Sequence, residues 1–466
     1  MLAVLFALGL GAIVLLVDPN DFKPLIVRTV YEKKQRTLMF AGPIKLRVFP
    51  QIALDLGRVS LSEYRSHDIF MSIDHARLDV AWLPLIRQRL VIKGVALESV
   101  QARVIRYADG RFNFADLLQP ETRSQIDFDI GSAAIRNGRV TFDDFKASRR
   151  LVLDRVQIKT GRLTNARETL VEAQGIIHAA RPAMSLAFDA NSRLYFDRSK
   201  KVYQLRKLDL AARGAAFGLT DLNSRIAADE ISLAPQARLG KRTHLTAEGK
   251  RGDWRVRTEA NVAAWHWNTD SLTLERPTAK VNLDRANRRV ELTARSDRLA
   301  QAQGAWRAGR IGYDIGINAA NTVVRGKAQS GFAFVDGTLA LPDLNAALGV
   351  SGARWAKGGF RLDLAGIIEL APAPKPAFKG RLDARAHNTR AQIAFEQRTR
   401  NPMLFGFDAK LDRVELDRFL AKAPRPDSKP QPWKIPDLKS TGTIRIGELT
   451  RGTTKAYDVT IEVTRD

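Results

Sequence analysis

LAVLFALGLGAIVLLV (Leu2 to Val17) carries no charged residue and stops abruptly at DPND (Asp18 to Asp21). Sixteen residues at ~1.5 Å each make a helix of roughly 24 Å, against a hydrocarbon core of about 30 Å. The run is short for a span. Leu15-Leu16-Val17-Asp18-Pro19 offers no small-residue cleavage site, so an uncleaved anchor fits better than a removed signal peptide. Lys23, Arg28, Lys33, Lys34 and Arg36 follow the run, and charge bias alone would hold that flank on the cytoplasmic side. The expectation is a true start upstream, with a basic leader. Behind the junction the pattern changes to period two. Ile52, Leu54 and Leu56 share one face, and Val59 and Leu61 take the other parity after Gly57, the mark of a bulge that re-aims a sheet. A membrane element feeding directly into a β-rich body limits what the rest of the chain can be.

Working outward, the alternation persists. Leu78, Val80 and Trp82 alternate with Arg77, Asp79 and Ala81, and Leu208 and Leu210 with Lys207, Asp209 and Ala211. Val290, Leu292 and Ala294 alternate with Glu291, Thr293 and Arg295. Each reads as a half-buried strand with one apolar and one wet face. Asp109-Gly110-Arg111-Phe112-Asn113-Phe114 is echoed by Asn137-Gly138-Arg139-Val140-Thr141-Phe142 and, more loosely, by Asp336 to Leu341. Asp-Gly and Asn-Gly supply positive φ, so all three are expected to be hairpin turns.

Helical signals are few. Asp18 reads as a helix cap with Pro19 at the first position, and Phe22, Leu25, Ile26 and Val30 fall on one face. Pro24 marks a kink or a second start. This helix either plugs the end of the sheet or lies at a bilayer surface, with Phe22, Ile26, Lys33, Lys34 and Arg36 membrane-proximal. Short helical turns are expected near Pro84 to Gln88 and Phe114 to Leu118. Proline marks a loop at Ala371 to Pro376 and a linker after Ala423.

These signals divide the chain into an anchor (1–17), an N-terminal region (18–120), a repetitive β region (121–422), a Pro-rich linker (423–438) and the start of a C-terminal region (439–466) that is expected to continue. The fold class is mainly β: an elongated, twisted antiparallel sheet curled into an open groove, capped by an N-terminal helix and preceded by one transmembrane helix. Alternation alone does not separate such a groove from a closed sandwich.

The 466 residues hold 75 Lys and Arg against 50 Asp and Glu, a net charge of +25, and no Cys. Disulfides, thiolate metal sites and Cys nucleophiles are excluded. A positive field attracts polyanions such as anionic headgroups, lipopolysaccharide or nucleic acid. The cations are spread along the chain and interleaved with acids, which speaks against a nucleic-acid module. His67, His75, His178, His244, His266 and His387 show no metal-ligand spacing, and no G-x-S-x-G, Walker A or EF-hand loop is present. Asp143-Asp144 reads as a turn, and Arg251-Gly252-Asp253 as a charged turn rather than an adhesion tripeptide. Trp265 and Trp267, on one face around His266, read as core or groove lining. No enzymatic activity and no cofactor are expected.

Val17-Asp18-Pro19-Asn20-Asp21-Phe22 behind an apolar run resembles the start of the AsmA family. So do Ala41-Gly42-Pro43-Ile44 to Phe49-Pro50, Ala76-Arg77-Leu78-Asp79-Val80 to Leu83-Pro84-Leu85, and Gly94-Val95-Ala96-Leu97 leading to Asp109-Gly110-Arg111-Phe112. The likeness is specific over residues 12–145 and a matter of strand rhythm up to residue 422. Gly442 to Leu449 resembles the entry to the family's C-terminal region. The family is related to TamB and to the chorein-type, bridge-like lipid-transfer proteins. The resemblance implies a single-pass protein of the Gram-negative inner membrane, with its bulk in the periplasm, that carries phospholipid along an apolar β groove in outer-membrane biogenesis. The alternative is a non-enzymatic scaffold for outer-membrane protein assembly. Phospholipid, lipopolysaccharide and assembly-machinery proteins are the implied partners. The strands expected to line the groove carry Leu78, Val80, Trp82, Leu208, Leu210, Val290 and Leu292.

Overall fold

The computed structural model describes residues 18–47, 52–81, 92–117, 129–234, 238–268, 271–353, 355–356, 358–371, 378–400, 403–420 and 439–465. The expected anchor, Trp82, the Pro84 to Gln88 turn and the Pro-rich linker lie outside them. Contacts divide the chain into two compact units, Met1–Gln236 and Ala237–Asp466. Both are mainly β.

Unit 1 opens as its sequence suggests. The Asp18 carboxylate accepts the Asn20 N–H at 2.8 Å and starts a 3-10 turn, Pro19–Phe22. Helix α1 follows at Lys23–Lys34, with Pro24 in its first turn, where the missing N–H has no helical partner to lose. Pro24 is thus a second start. Gln35, at φ 52°, ends the helix in a left-handed cap.

The strands of unit 1 are β1 (Leu38–Phe40), β2 (Lys45–Arg47), β3 (Ala53–Asp55), β4 (Val59–Ser62), β5 (Ile69–Val80), β6 (Ile92–Arg106), β7 (Asp129–Ile130), β8 (Ala133–Asp144), β9 (Arg149–Thr160), β10 (Leu163–Thr164), β11 (Glu168–Ala180), β12 (Ala183–Asp197), β13 (Val202–Ala216) and β14 (Leu219–Leu233). β3 and β4 both pair with β5, and Gly57 sits between them at φ 58°. The expected re-aiming of the sheet at this glycine is what joins the two short strands. β6 and β8 are parallel; from β8 the chain meanders antiparallel through β9 and β11 to β14. A small core of Ile73, Ala76 and Val100, flanked by Leu56, Met71, Leu97 and Ile135, marks the start of this sheet.

The three echoed motifs diverge. Asp336-Gly337 makes the expected hairpin turn, with φ of 48° and 77°. Asp109-Gly110 also turns, but its return is a single bridge from Phe112 to Arg106. Asn137-Gly138, expected as a turn, lies inside β8 at a register shift, with Asn137 at φ 54°. The same positive φ that closes a hairpin here makes a bulge. Ser99 on β6 and Arg155 on β9 have matching φ of 53° and 50°. These neighbouring bulges keep apolar residues an odd number of positions apart, such as Leu97 and Ala102 or Ile135 and Val140, on one face.

Unit 2 comprises β15 (Arg238–Arg251), β16 (Trp254–Trp267), β17 (Ser271–Glu275), β18 (Thr278–Arg285), β19 (Arg288–Arg295), β20 (Arg298–Ala302), β21 (Ala305–Ala319), β22 (Thr322–Val335), β23 (Thr338–Ser351), β24 (Phe360–Leu370), β25 (Lys379–Ala386), β26 (Thr389–Arg400), β27 (Met403–Glu415), a single helical turn α2 (Leu416–Phe419), β28 (Lys439–Arg451) and β29 (Thr454–Arg465). β17 and β18 both pair with β16, and β19 and β20 with β21. They act as two long strands broken side by side, where Arg276 N–H bonds Asp297 O at 2.8 Å. β27 and β28 are parallel; the other pairs of the unit are antiparallel. Trp355, Phe360, His387 and Phe419 pack edge to face at one end of β24.

Candidate functional site

Strand pairing lines the apolar residues up across each unit. In unit 1 one row runs Ala76–Leu97–Ile135–Ile158–Ala173–Ala190–Leu210–Ile226. A second runs Ala102–Val140–Leu153–Ile177–Leu186–Gly214–Leu222, and a third Val104–Phe142–Leu151–Ala179–Met184–Ala216–Leu219. Unit 2 repeats the device. Val256–Leu283–Val290–Ile317–Val324–Val350–Phe360 is one row and Val281–Leu292–Ile315–Gly326–Leu348–Leu362 the next. Within each row the residues are direct cross-strand partners, so their side chains share one face.

These faces are not sealed. Among the described residues no apolar side chain larger than alanine is less than 5% exposed, and the members of the Leu210 and Val290 rows are half-buried, apart from Ala76 and Val350, which are buried. Leu292 is 36% exposed. A sandwich core would close such side chains off completely. Tyr313, in the floor of unit 2, hydrogen-bonds Ser330 at 3.1 Å, and burial pushes its phenol pKa up.

The opposite faces are charged and largely self-neutralised. Arg225 pairs with Asp209, Arg257 and Arg289 with Asp284, and Arg445 with Asp408. A cavity of 1280 Å³ opens on this side of unit 2, beside Lys327, Asp363, Arg385 and Lys410. Concavity is therefore not confined to the apolar side, as expected of a twisted sheet, which is a saddle and has one hollow diagonal on each face.

Unit 1 carries a third feature beside α1. Arg36 is wholly buried. Its guanidinium donates to both Asp116 oxygens at 2.7 Å, to Ser62 O at 2.7 Å and to Asn113 O at 2.6 Å, and lies 4.8 Å above the Phe70 ring. It holds the Asp116 carboxyl below the usual range. Asn113, itself buried, donates to Glu63 at 2.7 Å and to Arg103 O at 2.8 Å. Expected at a membrane surface, Arg36 is instead a structural brace, closed off by the loop that its partners form. The other membrane-proximal expectations sit differently: Phe22 is 52% and Ile26 39% exposed, no residue of α1 is buried, Lys33 is exposed and Lys34 half-buried.

Of the expected lining residues, Leu78 pairs with Leu54 and Val95, and Val80 is buried against Ile92. Leu210, Val290 and Leu292 lie in these apolar rows, and Leu208 pairs with Ala228. Asp143 and Asp144, expected in a turn, end β8 and are buried; Asp143 accepts from Arg150 at 2.5 Å and Arg103 at 3.0 Å. Sequence reasoning missed Asn113, Asp116 and Glu63. The one available signal was Asn113, a polar residue between Phe112 and Phe114 just behind a turn. Among the described residues no group of three or more His, Asp or Glu could hold a metal, and no helix is long and apolar enough to cross a membrane.

Comparison with known proteins bears on this geometry. The protein AsmA of Escherichia coli (strain K12) is 32% identical over 150 residues, 30% of this chain and 24% of that protein. The match thus spans about a quarter of the relative's length. No solved structure matches. The AsmA family profile matches residues 1–251, more than half of the chain, so this protein belongs to the AsmA family.

Proposed function

We propose that the chain is a lipid-binding and lipid-transfer protein of the inner membrane, with its bulk in the periplasm, that supports outer-membrane biogenesis. The observation that carries this reading is the apolar face, continuous from strand to strand within each unit and mostly half-exposed beyond the small core of Ile73, Ala76 and Val100. Acyl chains leaving water gain about 0.8 kcal/mol per CH₂ on such a surface. Phospholipid or lipopolysaccharide headgroups stay at the charged rim, where a net charge of +25 favours them. Rows built of similar residues offer no point of tight arrest, so a lipid can slide, and no catalytic step is assigned. Purified protein should carry phospholipid detectable by mass spectrometry, and Leu210→Asp should abolish uptake of a fluorescent lipid. Lipid-free protein with no uptake would overturn the reading.

The second reading is a scaffold that docks outer-membrane proteins by strand addition. It is favoured by β29, which among the described residues pairs on one side only and exposes Tyr457 and Ile461. Cross-linking to unfolded barrel chains, in the absence of lipid, would support it.

A further inference from the structure

The hollow of 1280 Å³ is the exception on the charged face of unit 2. Strand pairing sets a row of residues along each of its sides. One runs Lys327–Ala347–Asp363–Arg385–Arg390, from β22 to β26. The other runs Gln329–Asn345–Ala365–Asp383–Gln392–Lys410, from β22 to β27. The rows stand two residues apart along each strand, about 7 Å. Between them passes the backbone of Ala328–Ala346–Leu364–Ala384–Ala391, whose side chains belong to the apolar face. Ala347 and Ala365 keep the middle of the hollow low.

Elsewhere on this face cations pair with acids, as Arg257 and Arg289 do with Asp284. In the hollow most of the acids are already taken. Arg361 holds Asp363 at 2.8 Å, and Arg295 holds Asp314. Asp412 accepts the backbone N–H groups of Arg390 and Arg413 at 2.7 and 2.6 Å. Among the described residues Lys327, Arg385, Arg390 and Lys410 are therefore left without an ion pair. An adjoining hollow of 740 Å³ shares Asp363 and Arg385 and adds Arg325, likewise unpaired among the described residues. The second row has a different vacancy: the side chains of Gln329, Asp383 and Gln392 make no hydrogen bond among the described residues.

A ligand for this hollow must bring acid groups to one wall and hydroxyl groups to the other. Hydroxyls donate to Asp383 and both donate to and accept from the amides. Bare polyphosphate has no proton for Asp383 and is repelled by it. Nucleic acid finds no ring to stack on, because Tyr313, the aromatic of the lining, turns its hydroxyl to Ser330 on the apolar face. A protein partner finds no aromatic or large apolar anchor on either wall. We propose that the hollow binds an acidic oligosaccharide laid across β22 to β27, its acid groups along Lys327, Arg385 and Arg390 and its hydroxyls on Gln329, Asp383 and Gln392. The site lies on the face opposite the apolar rows of unit 2 and does not rest on the lipid-transfer reading. The chemistry is shared by a free glycan and by the sugar head of a glycolipid.

The test is equilibrium binding of the full chain to fluorescein-labelled oligogalacturonate at about 0.15 M salt, where a diffuse field is screened within about 8 Å. Binding should be saturable and at least about tenfold tighter than to a neutral maltooligosaccharide of the same length or to inorganic polyphosphate. Lys327→Gln with Arg385→Gln should weaken it about tenfold. Ala365→Phe, which fills the hollow and changes no charge, should weaken it likewise. Arg225→Gln with Arg257→Gln, an equal loss of charge outside the hollow, should leave it unchanged. Unchanged binding in both hollow variants, or an equal loss in the distant pair, would overturn the site and leave only a diffuse field. Polyphosphate bound as tightly would overturn the saccharide. A second arm carries the same oligogalacturonate on a lipid tail in phosphatidylcholine vesicles. Binding of the free chain supports a soluble glycan, binding of the tailed chain alone supports a glycolipid head, and binding of neither overturns the proposal. Leu210→Asp should leave oligogalacturonate binding intact while it blocks lipid uptake, so the two readings fail separately.

Discussion

The brace around Arg36 and the meander from β8 to β14 bury their residues in opposite ways. Around Arg36 each group has a named partner: two carboxylate oxygens, two carbonyls and an aromatic face, gathered from three separate segments. Along the meander no side chain is indispensable, because each apolar residue sits beside others like it in a row. One region specifies a single arrangement; the other tolerates substitution of one apolar residue by another. Unit 1 holds both kinds of burial in one sheet.

The sharpest way to break this comparison is Arg36→Met. It leaves Asp116 and two buried carbonyls without their donor, and removing one partner of a buried pair costs about 3–5 kcal/mol. Urea unfolding of unit 1 should report a loss of that size. A loss below about 1 kcal/mol would mean that the loop is not held by this residue.

Truncation of apolar residues sharpens the contrast. Ile73, in the small core beside Ala76 and Val100, is 8% exposed; Ile73→Ala should cost about 2–4 kcal/mol. Leu210, half-buried in its row, has less to lose, and Leu210→Ala should cost about 1 kcal/mol. Equal losses at the two positions, measured by the same denaturant titration, would show that a second layer covers the floor.

Which residues share an apolar face was largely legible in the sequence. Leu208, Leu210, Val290 and Leu292 announce their face because strand period is local and two residues suffice to show it. The brace was not legible, because Arg36 finds its partners in Ser62 and Asp116, 26 and 80 positions away. Lys33, Lys34 and Arg36, close together behind an apolar run, suggest a headgroup contact for all three, and Arg36 differs from Lys33 only in what the chain later folds over it. Asn137 failed for another reason. Its positive φ was foreseen, but a positive φ serves a turn and a bulge equally well, and the pairing of β8 with β9 on both sides of the register shift decided between them.

Acid separates the regions more gently. Arg150, and then Arg103, hold the Asp143 carboxyl below its ordinary 3.8, against burial that pushes the other way. A depressed carboxylate contributes stability that is complete above its unfolded-state value and is lost as pH falls through the folded one. Unit 1 should therefore weaken as the pH falls below about 4. Asp143→Asn should flatten that part of the curve, without altering uptake of a fluorescent lipid. An unchanged acid limb in denaturant melts at stepped pH would remove Asp143 from the account.

The smallest effect is expected on the charged face. Arg225 and Asp209 make a two-toothed pair across β13 and β14, and Arg225 holds the Asp209 carboxyl below its usual range. The Arg225 side chain is nevertheless 66% exposed. Solvent and salt screen such a pair, and side-chain ordering offsets most of what remains, so Arg225→Ala should change stability by less than about 1 kcal/mol. Its neighbours across the sheet, Ala211 and Asn223 among them, do not depend on it for burial. If the loss were instead several-fold larger and insensitive to salt, the charged face would be a packed surface in its own right. The 1280 Å³ hollow on the corresponding face of unit 2 would then be the better place to look for a ligand than the apolar rows.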